Sequence, residues 1–165
     1  VSEEVASRLD FMIVPNSHTH LIMPKEFYEP YRKHADFMLD AYWNIIESPL
    51  RRFVTSMAHP FAAVACPYSN REIVRIITYK EFKDCFTKTK ENKIAVEINL
   101  SLFSRLTIAE IQKDEFMRMF RIAKECGCKF TIGSDSHSDT GHDKFYLAYV
   151  LAAMLELSQK DFLEI

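Results

Sequence analysis

Short apolar runs alternate along this chain with longer segments in which apolar residues recur every three or four positions. Four runs are rich in β-branched or aromatic residues and are typical of buried strands: Phe11 to Val14, Phe53 to Met57, Ile94 to Leu100, and Phe130 to Ile132. The longer segments predict helices over about 31–48, 78–91, 113–126 and 144–157. The strand–helix order repeats four times, which predicts an α/β fold with a parallel sheet covered by helices.

Local patterns define several helix ends. Thr78 and Glu81 form a capping-box pattern at the start of one helix, and Gly127 is predicted to end the next. Ser69 with Glu72 is a weaker pattern of the same kind between two predicted elements.

Two of the helices have a predicted core-facing stripe. In the helix over 31–48 the stripe consists of Phe37, Met38, Ala41, Tyr42, Ile45 and Ile46. In the helix over 113–126 it consists of Phe116, Met119, Phe120 and Ile122. His34 lies in the first turn of the earlier helix and is interpreted as a surface residue.

Composition places the chain among globular domains. It has 165 residues, 48% of them hydrophobic and 13% aromatic, enough for one domain with a substantial core. The net charge of -2 disfavours a general nucleic-acid binder, because phosphate contacts need clustered Lys and Arg. No apolar run reaches the roughly 18 residues of a membrane span and no signal peptide opens the chain, so we expect a cytoplasmic protein without membrane contact. The four cysteines show no C-x-x-C spacing and are interpreted as reduced thiols.

Side chains with metal-ligand chemistry follow three of the four predicted strands. Asp135 and His137 follow the last strand at a spacing of two, His18 and His20 follow the first at the same spacing, and His59 follows the second. Alternate side chains of an extended backbone point the same way, and the carboxyl ends of parallel strands meet at one edge. The sequence therefore predicts a metal-dependent site at this edge. The alternative for Asp135 is a cap for the next helix.

Two further residues indicate a polar cavity near that edge. Glu97 stands inside an otherwise apolar strand, where a carboxylate is costly unless it is paired or hydrogen-bonded. We therefore expect Glu97 to face a polar cavity or to hold a buried partner. Gly133 marks a point where the backbone turns tightly or approaches another group closely.

Four motifs, in order and spanning nearly the whole chain, resemble the PHP (polymerase and histidinol phosphatase) superfamily of metal-dependent phosphoesterases. They are Leu9-Asp10 leading into Asn16-Ser17-His18, then Ala58-His59-Pro60, Val96-Glu97-Ile98-Asn99, and Gly133-Ser134-Asp135-Ser136-His137. The resemblance implies that residues 1–165 form one PHP-like domain, the C-terminal half of a distorted (βα)7 TIM-like barrel. It also implies two or three divalent metal ions, Zn, Mn or Fe, in the complete site.

The resemblance assigns roles residue by residue. Catalytic metal ligands are implied at His18, Asp135 and His137. His20 stays open as an alternative to His18, because one extra residue separates Asp10 from His18. Substrate-binding positions are implied at His59, Asn99 and Ser134. Glu97 is implied to support these residues without contacting the metal or the substrate itself.

The implied activity is hydrolysis of a small phosphomonoester of the histidinol phosphate type. One alternative is a non-catalytic or degenerate PHP-like domain. Another is a PHP-type exonuclease, which the lack of a basic strip disfavours. The family's first half has no counterpart here, so we expect the edge at Phe11 to Val14 to be exposed and to need a preceding half or a second subunit.

Overall fold

The structure is a computed structural model that describes residues 1–63, 70–137 and 144–164. Its helices are α1 (Glu3–Ala6), α2 (Tyr31–Ile46), α3 (Asn70–Ile76), α4 (Tyr79–Glu91), α5 (Ile108–Gln112), α6 (Glu115–Glu125) and α7 (Tyr146–Met154). Its strands are β1 (Ile13–Pro15), β2 (Ser56–Ala58), β3 (Ala95–Asn99) and β4 (Phe130–Gly133). None of the helices described is long and apolar enough to cross a lipid bilayer. The predicted capping residue Ser69 lies outside the described residues.

The four strands form one parallel sheet in the order β1-β2-β3-β4. Each strand therefore pairs with the strand next to it along the chain, with helices in the connections. Beyond β4, Phe162 forms a parallel bridge with Phe130, so the chain returns to the sheet after α7. The α/β fold with a parallel sheet is as the sequence predicts.

The two faces of the sheet differ in chemistry. The register places Met57, Val96 and Phe130 side by side on one face, within the fully buried core. Because side chains alternate along a strand, Glu97 and Thr131 lie on the other face. The second face is the polar one.

The helices cover the apolar face, and their buried residues can be compared with the predicted stripes. In α6, Phe116, Met119, Phe120 and Ile122 are all buried, as predicted. In α2 the buried set is His34, Ala35, Met38, Leu39, Tyr42 and Ile46. Ile45 is only partly buried but packs against the core, as predicted. The predicted stripe was wrong for Phe37 and Ala41, which are partly buried and, with Ile45, line a groove of about 570 Å³ beside β1.

Strand β1 lies at one edge of the described sheet. Around it, Phe11 is 52% exposed and Ile13 49% exposed, and Leu21 and Ile22 are exposed as well. The predicted exposed apolar edge is therefore present. The expectation that a preceding half or a second subunit covers this edge stays a prediction.

His34 is a correction, since the sequence interpretation placed it on the surface. It is fully buried because the loop before α2 folds over the first turn of this helix. Thr19 Oγ1 lies 3.3 Å from His34 Nε2, and the Tyr28 ring packs edge-on against the imidazole with 5.3 Å between centroids. His34 thus anchors the loop that carries His18.

The burial of His34 leads to a prediction about stability and pH. Burial lowers the pKa of His34 below its ordinary value of 6.5, so the unfolded chain takes up this proton more readily than the folded one. The free energy of unfolding should be highest above about pH 6.5 and decrease as the pH falls below it. Urea denaturation at pH 7.5 and 5.5 should show a smaller decrease for His34→Gln than for the wild type. Equal decreases in the two proteins would contradict this role.

The capping box that opens α4 is confirmed and has an additional partner. Thr78 Oγ1 accepts a hydrogen bond from the Glu81 amide at 3.2 Å, and Glu81 Oε2 accepts one from the Thr78 amide at 2.8 Å. The same carboxylate also forms an ion pair, because Arg32 Nη2 of α2 donates to Glu81 Oε1 at 2.6 Å. Arg32, followed by the Thr78 donors, holds the pKa of Glu81 at about 2.

Glu81→Gln should lower the free energy of unfolding by about 0.5–1 kcal/mol at pH 7. The loss is small because the ion pair is partly solvent-screened and glutamine keeps the capping contact. Since the folded pKa is depressed from 4.5, this contribution is full above about pH 4.5 and is lost as the pH falls through about 2. Chemical denaturation across this range measures it. Glu110→Gln is the matched control, because Glu110 occupies the equivalent place in the Thr107 capping box and pairs with no arginine of the described residues. A loss in this control as large as in Glu81→Gln would contradict a role for Arg32.

Candidate functional site

The carboxyl ends of the four strands meet at one edge of the sheet, and polar side chains lie at each end. We call this group the strand-end site, defined as Ser17, His18, His59, Glu97, Asn99 and Asp135. The two histidines follow β1 and β2, Glu97 is the central and Asn99 the last residue of β3, and Asp135 follows β4. The expected shared edge is therefore present.

Three imidazoles cluster on the β1 side of the site. The His18 ring lies 5.2 Å from the His59 ring and 5.9 Å from the His20 ring, measured between centroids. Desolvation lowers the pKa of His18, the neighbouring His59 and His20 rings lower it further, and the Asp135 carboxylate acts in the opposite direction. His18 is therefore neutral at pH 7 and has a nitrogen lone pair for a ligand. Both His18 and His20 stay open as the ligand.

His59 is held from two sides. Ser17, which is fully buried, places its Oγ 2.5 Å from His59 Nδ1. The backbone of His59 has a φ of 27°, in the left-handed region, and its amide donates to Glu97 Oε2 at 2.6 Å. With Nδ1 engaged by Ser17, Nε2 is the ring nitrogen available to a ligand.

Glu97 is half-buried, and its carboxylate is hydrogen-bonded rather than unpaired, because Oε2 accepts from the half-buried His59 amide. Its carboxylate also lies directly against Gly133, where an added Cβ would sit 1.8 Å from Glu97 Oε1. Gly133 is not among the residues with positive φ. The glycine is therefore required for the close approach and not for a turn.

Polar contacts of Ser101 link the end of β3 to Asp135. Asn99 Oδ1 accepts from the Ser101 amide at 3.0 Å and from Ser101 Oγ at 2.6 Å, and Ser101 Oγ lies 3.3 Å from Asp135 Oδ2. Asn99 Nδ2 is a buried donor that has no hydrogen-bond partner within the described part of the chain. Leaving such a donor unpaired costs about 1–3 kcal/mol. Asn99 is thus suited to donate to a ligand oxygen, in keeping with the predicted substrate contact.

Asp135 and His137 contact each other, although not in the way predicted. The prediction assumed extended backbone, whereas β4 ends at Gly133 and Asp135 has a φ of 52°. His137 Nε2 lies 3.5 Å from Asp135 Oδ1, and the His137 side chain is 91% exposed. Asp135 does not cap α7, whose N-cap is Phe145 with no side-chain cap bond. Ser134 Oγ accepts from the Ser136 amide at 3.3 Å within the same loop.

The donor types fit a divalent transition metal, since imidazole nitrogen and carboxylate oxygen are ligands for Zn, Mn and Fe. The unpaired Asn99 donor fits an oxygen of the substrate. Across residues 1–63, 70–137 and 144–164, however, no three His, Cys, Asp or Glu side chains converge closely enough to hold a metal ion. Pairs of such side chains do lie close together, namely His18 with His59, His18 with His20, and Asp135 with His137.

Sequence reasoning missed two residues of this arrangement. Ser17 belongs to the Asn16-Ser17-His18 motif, but no role was predicted for it, and none was predicted for Ser101. Ser101 follows Asn99 at a spacing of two, which is the pattern of a side-chain-to-backbone turn. That pattern could have identified Ser101, whereas no local pattern connects Ser17 to His59, 42 positions away.

Comparisons with known proteins give no match to a family model, a curated protein or a solved structure. The resemblance to the PHP superfamily therefore stays a prediction that rests on the four motifs. The function has to be argued from the chemistry of the strand-end site itself.

Proposed function

We propose that this protein is a metal-dependent phosphoesterase of the PHP type that hydrolyses a small phosphomonoester. The observation that carries the proposal is that four consecutive parallel strands bring His18, His59, Asn99 and Asp135 to one edge. In βα barrels the active site occupies this edge. The consecutive strand order supports assigning the sheet to one half of a distorted TIM-like barrel.

The metal ions would be held by His18, Asp135 and His137, with His20 as the alternative to His18. When bound, such ions supply Lewis-acid stabilisation of the charge on the phosphoryl oxygens. Zn, Mn and Fe all suit these ligands.

The chain's own residues complete the chemistry. Asn99 Nδ2 is a buried donor without a partner in the described residues, and it donates to a phosphoryl oxygen. His59 presents Nε2 to the substrate, because Ser17 engages its Nδ1. Glu97 fixes the His59 backbone, and the Gly133 backbone lies against that carboxylate.

Ser17→Ala tests the role of the serine in orienting His59. Loss of its hydrogen bond should lower kcat/KM by about 10- to 100-fold, as for other residues that orient a functional histidine. It should cost about 1 kcal/mol of stability. Nitrogen-15 NMR of the imidazole should also show a changed balance between the two His59 tautomers. An unchanged balance would show that Ser17 does not set it.

The proposed function is tested by metal content and turnover. The purified protein, dialysed against Zn or Mn and then against buffer, should retain metal in stoichiometric amounts and hydrolyse p-nitrophenyl phosphate in a metal-dependent manner. EDTA should abolish this turnover. Absence of both metal and hydrolysis would reject the proposal.

A second candidate function is a non-catalytic domain that binds at most one weak metal ion. One observation favours it: the His137 side chain, an implied metal ligand, is 91% exposed. This candidate predicts metal lost on dialysis and no turnover, so the same experiment separates the two.

A further inference from the structure

A cavity of about 700 Å³ opens beside the strand-end site. It lies between the start of α3, the 3₁₀ helix Leu100–Phe103 with the turn after it, and the segment leading into α7. Because the 3₁₀ helix directly follows β3, the cavity is on the carboxyl edge of the sheet. Ser101 lines the cavity and also lies 3.3 Å from Asp135 Oδ2, so the two sites adjoin.

The polar lining of the cavity is cationic. It consists of Asn70, Arg71, Ser101, Ser104, Arg105 and Lys144, and no carboxylate is among the lining residues described. Arg71 is bound to Asp114 and donates to the Leu102 carbonyl at 2.8 Å, so it forms part of a fixed wall. A concave surface with charges of one sign concentrates counter-ions.

Arg105 and Lys144 have neither an ion pair nor a hydrogen bond with any other described residue. Unpaired cations are common on protein surfaces, and by themselves indicate nothing. Here, however, Lys144 is half-buried, and both cations line one cavity next to Asp135. Elsewhere in the chain, four arginines pair with carboxylates: Arg32, Arg52, Arg75 and Arg118.

The donors match an anionic ligand. A guanidinium binds phosphate or carboxylate through two parallel hydrogen bonds, and an ammonium adds a point charge. Asn70 adds an amide. The volume is within the range of about 300–1,000 Å³ typical of small-molecule pockets and exceeds that of one phosphate group. The body of a small substrate would therefore fit together with its charged end.

We infer that this cavity binds a second anionic group of the substrate, a phosphate or carboxylate remote from the phosphate that is hydrolysed. The inference rests on the proposed phosphoesterase function for the identity of the ligand as substrate. The reacting phosphate lies at the strand-end site, and the second anion contacts Arg105 and Lys144. The preferred substrates are accordingly bisphosphates or phosphorylated acids.

Kinetics with matched substrates test the inference. Alkyl monophosphates of two to six carbons are compared with counterparts that carry a terminal phosphate or a terminal carboxylate, which separates the two anions. The wild type should have a lower KM for one of the doubly anionic series. Arg105→Gln and Lys144→Gln should each raise that KM about tenfold, with kcat and the KM for the monophosphates unchanged. Arg51→Gln is the control, because Arg51 precedes β2 at the opposite edge of the sheet. Equal KM values for mono- and doubly anionic substrates would overturn the inference.

A binding experiment without turnover separates this inference from the proposed function. Inorganic phosphate is titrated into the metal-free protein, and the Arg105 side-chain and Ser104 backbone NMR signals are followed. Saturable shifts of the Ser104 signal that are lost in Arg105→Gln support the anion site even if no phosphoesterase activity is found. Hydrolysis of phosphomonoesters with no phosphate-induced shifts overturns the anion site while leaving the proposed activity intact.

Discussion

Gly133→Ala is expected to disrupt the strand-end site although it adds a single methyl group. The new Cβ would lie 1.8 Å from Glu97 Oε1 and 2.7 Å from Glu97 Cδ, so the carboxylate must move. When it moves, it loses the 2.6 Å hydrogen bond from the His59 amide. Overpacking and the lost charged hydrogen bond together should lower the free energy of unfolding by about 2–3 kcal/mol.

Urea denaturation measures this loss, and Gly127→Ala is the matched control. Gly127 has a φ of 78°, but an added Cβ there meets no atom within 4 Å. Its substitution should cost about 1 kcal/mol through backbone strain alone. Metal-dependent activity should be lost in Gly133→Ala and kept in Gly127→Ala.

A double-mutant cycle shows whether Glu97 is the cause. On a Glu97→Ala background the clash is absent, so adding Gly133→Ala should cost less than about 0.5 kcal/mol. If Gly133→Ala costs the same in both backgrounds, the contact with Glu97 is not what requires glycine. The cycle thus tests the packing of the site independently of any ligand.

Most of the fold was predictable because its information is local. Apolar runs and helical periodicity identified the four strands and the main helices, and the Thr78 capping box and Gly127 marked helix ends correctly. Boundaries differed by a few residues. The segment predicted as a strand from Phe53 begins as a 3₁₀ helix, Pro49–Phe53, and becomes a strand only at Ser56.

Contacts between residues that are far apart in the sequence were harder to predict. His34 was assigned to the surface because its burial depends on Thr19 and Tyr28 in a loop whose path no periodicity specifies. The location of His18, His59 and Asp135 at one edge of the sheet could be predicted because parallel strands bring their carboxyl ends together. The hydrogen bond between Ser17 and His59 could not, since it depends on how two strand ends face each other.

Asp135→Asn is expected to have the largest effect on metal binding. Asparagine is nearly isosteric with aspartate and tolerates the left-handed φ of 52°, where alanine would add strain. The substitution removes the negative charge and a ligand oxygen, so affinity for Zn or Mn should fall at least about 100-fold, beyond the effect typical of residues that only orient a ligand. Isothermal titration calorimetry measures this affinity directly.

The metal-free stability should change little in Asp135→Asn. Its side chain is 41% exposed, and among the described residues its polar contacts are Ser101 at 3.3 Å and His137 at 3.5 Å. We therefore expect a change within about 0.5 kcal/mol in EDTA, typical of surface substitutions. Metal at 100 times its Kd for the wild type should raise the free energy of unfolding of the wild type by about 2.7 kcal/mol and that of the variant by almost nothing. Asp84→Asn, which removes a carboxylate paired with Lys80 on α4, should leave metal binding unchanged. Unchanged metal affinity in Asp135→Asn, together with a large loss of metal-free stability, would make Asp135 a structural residue.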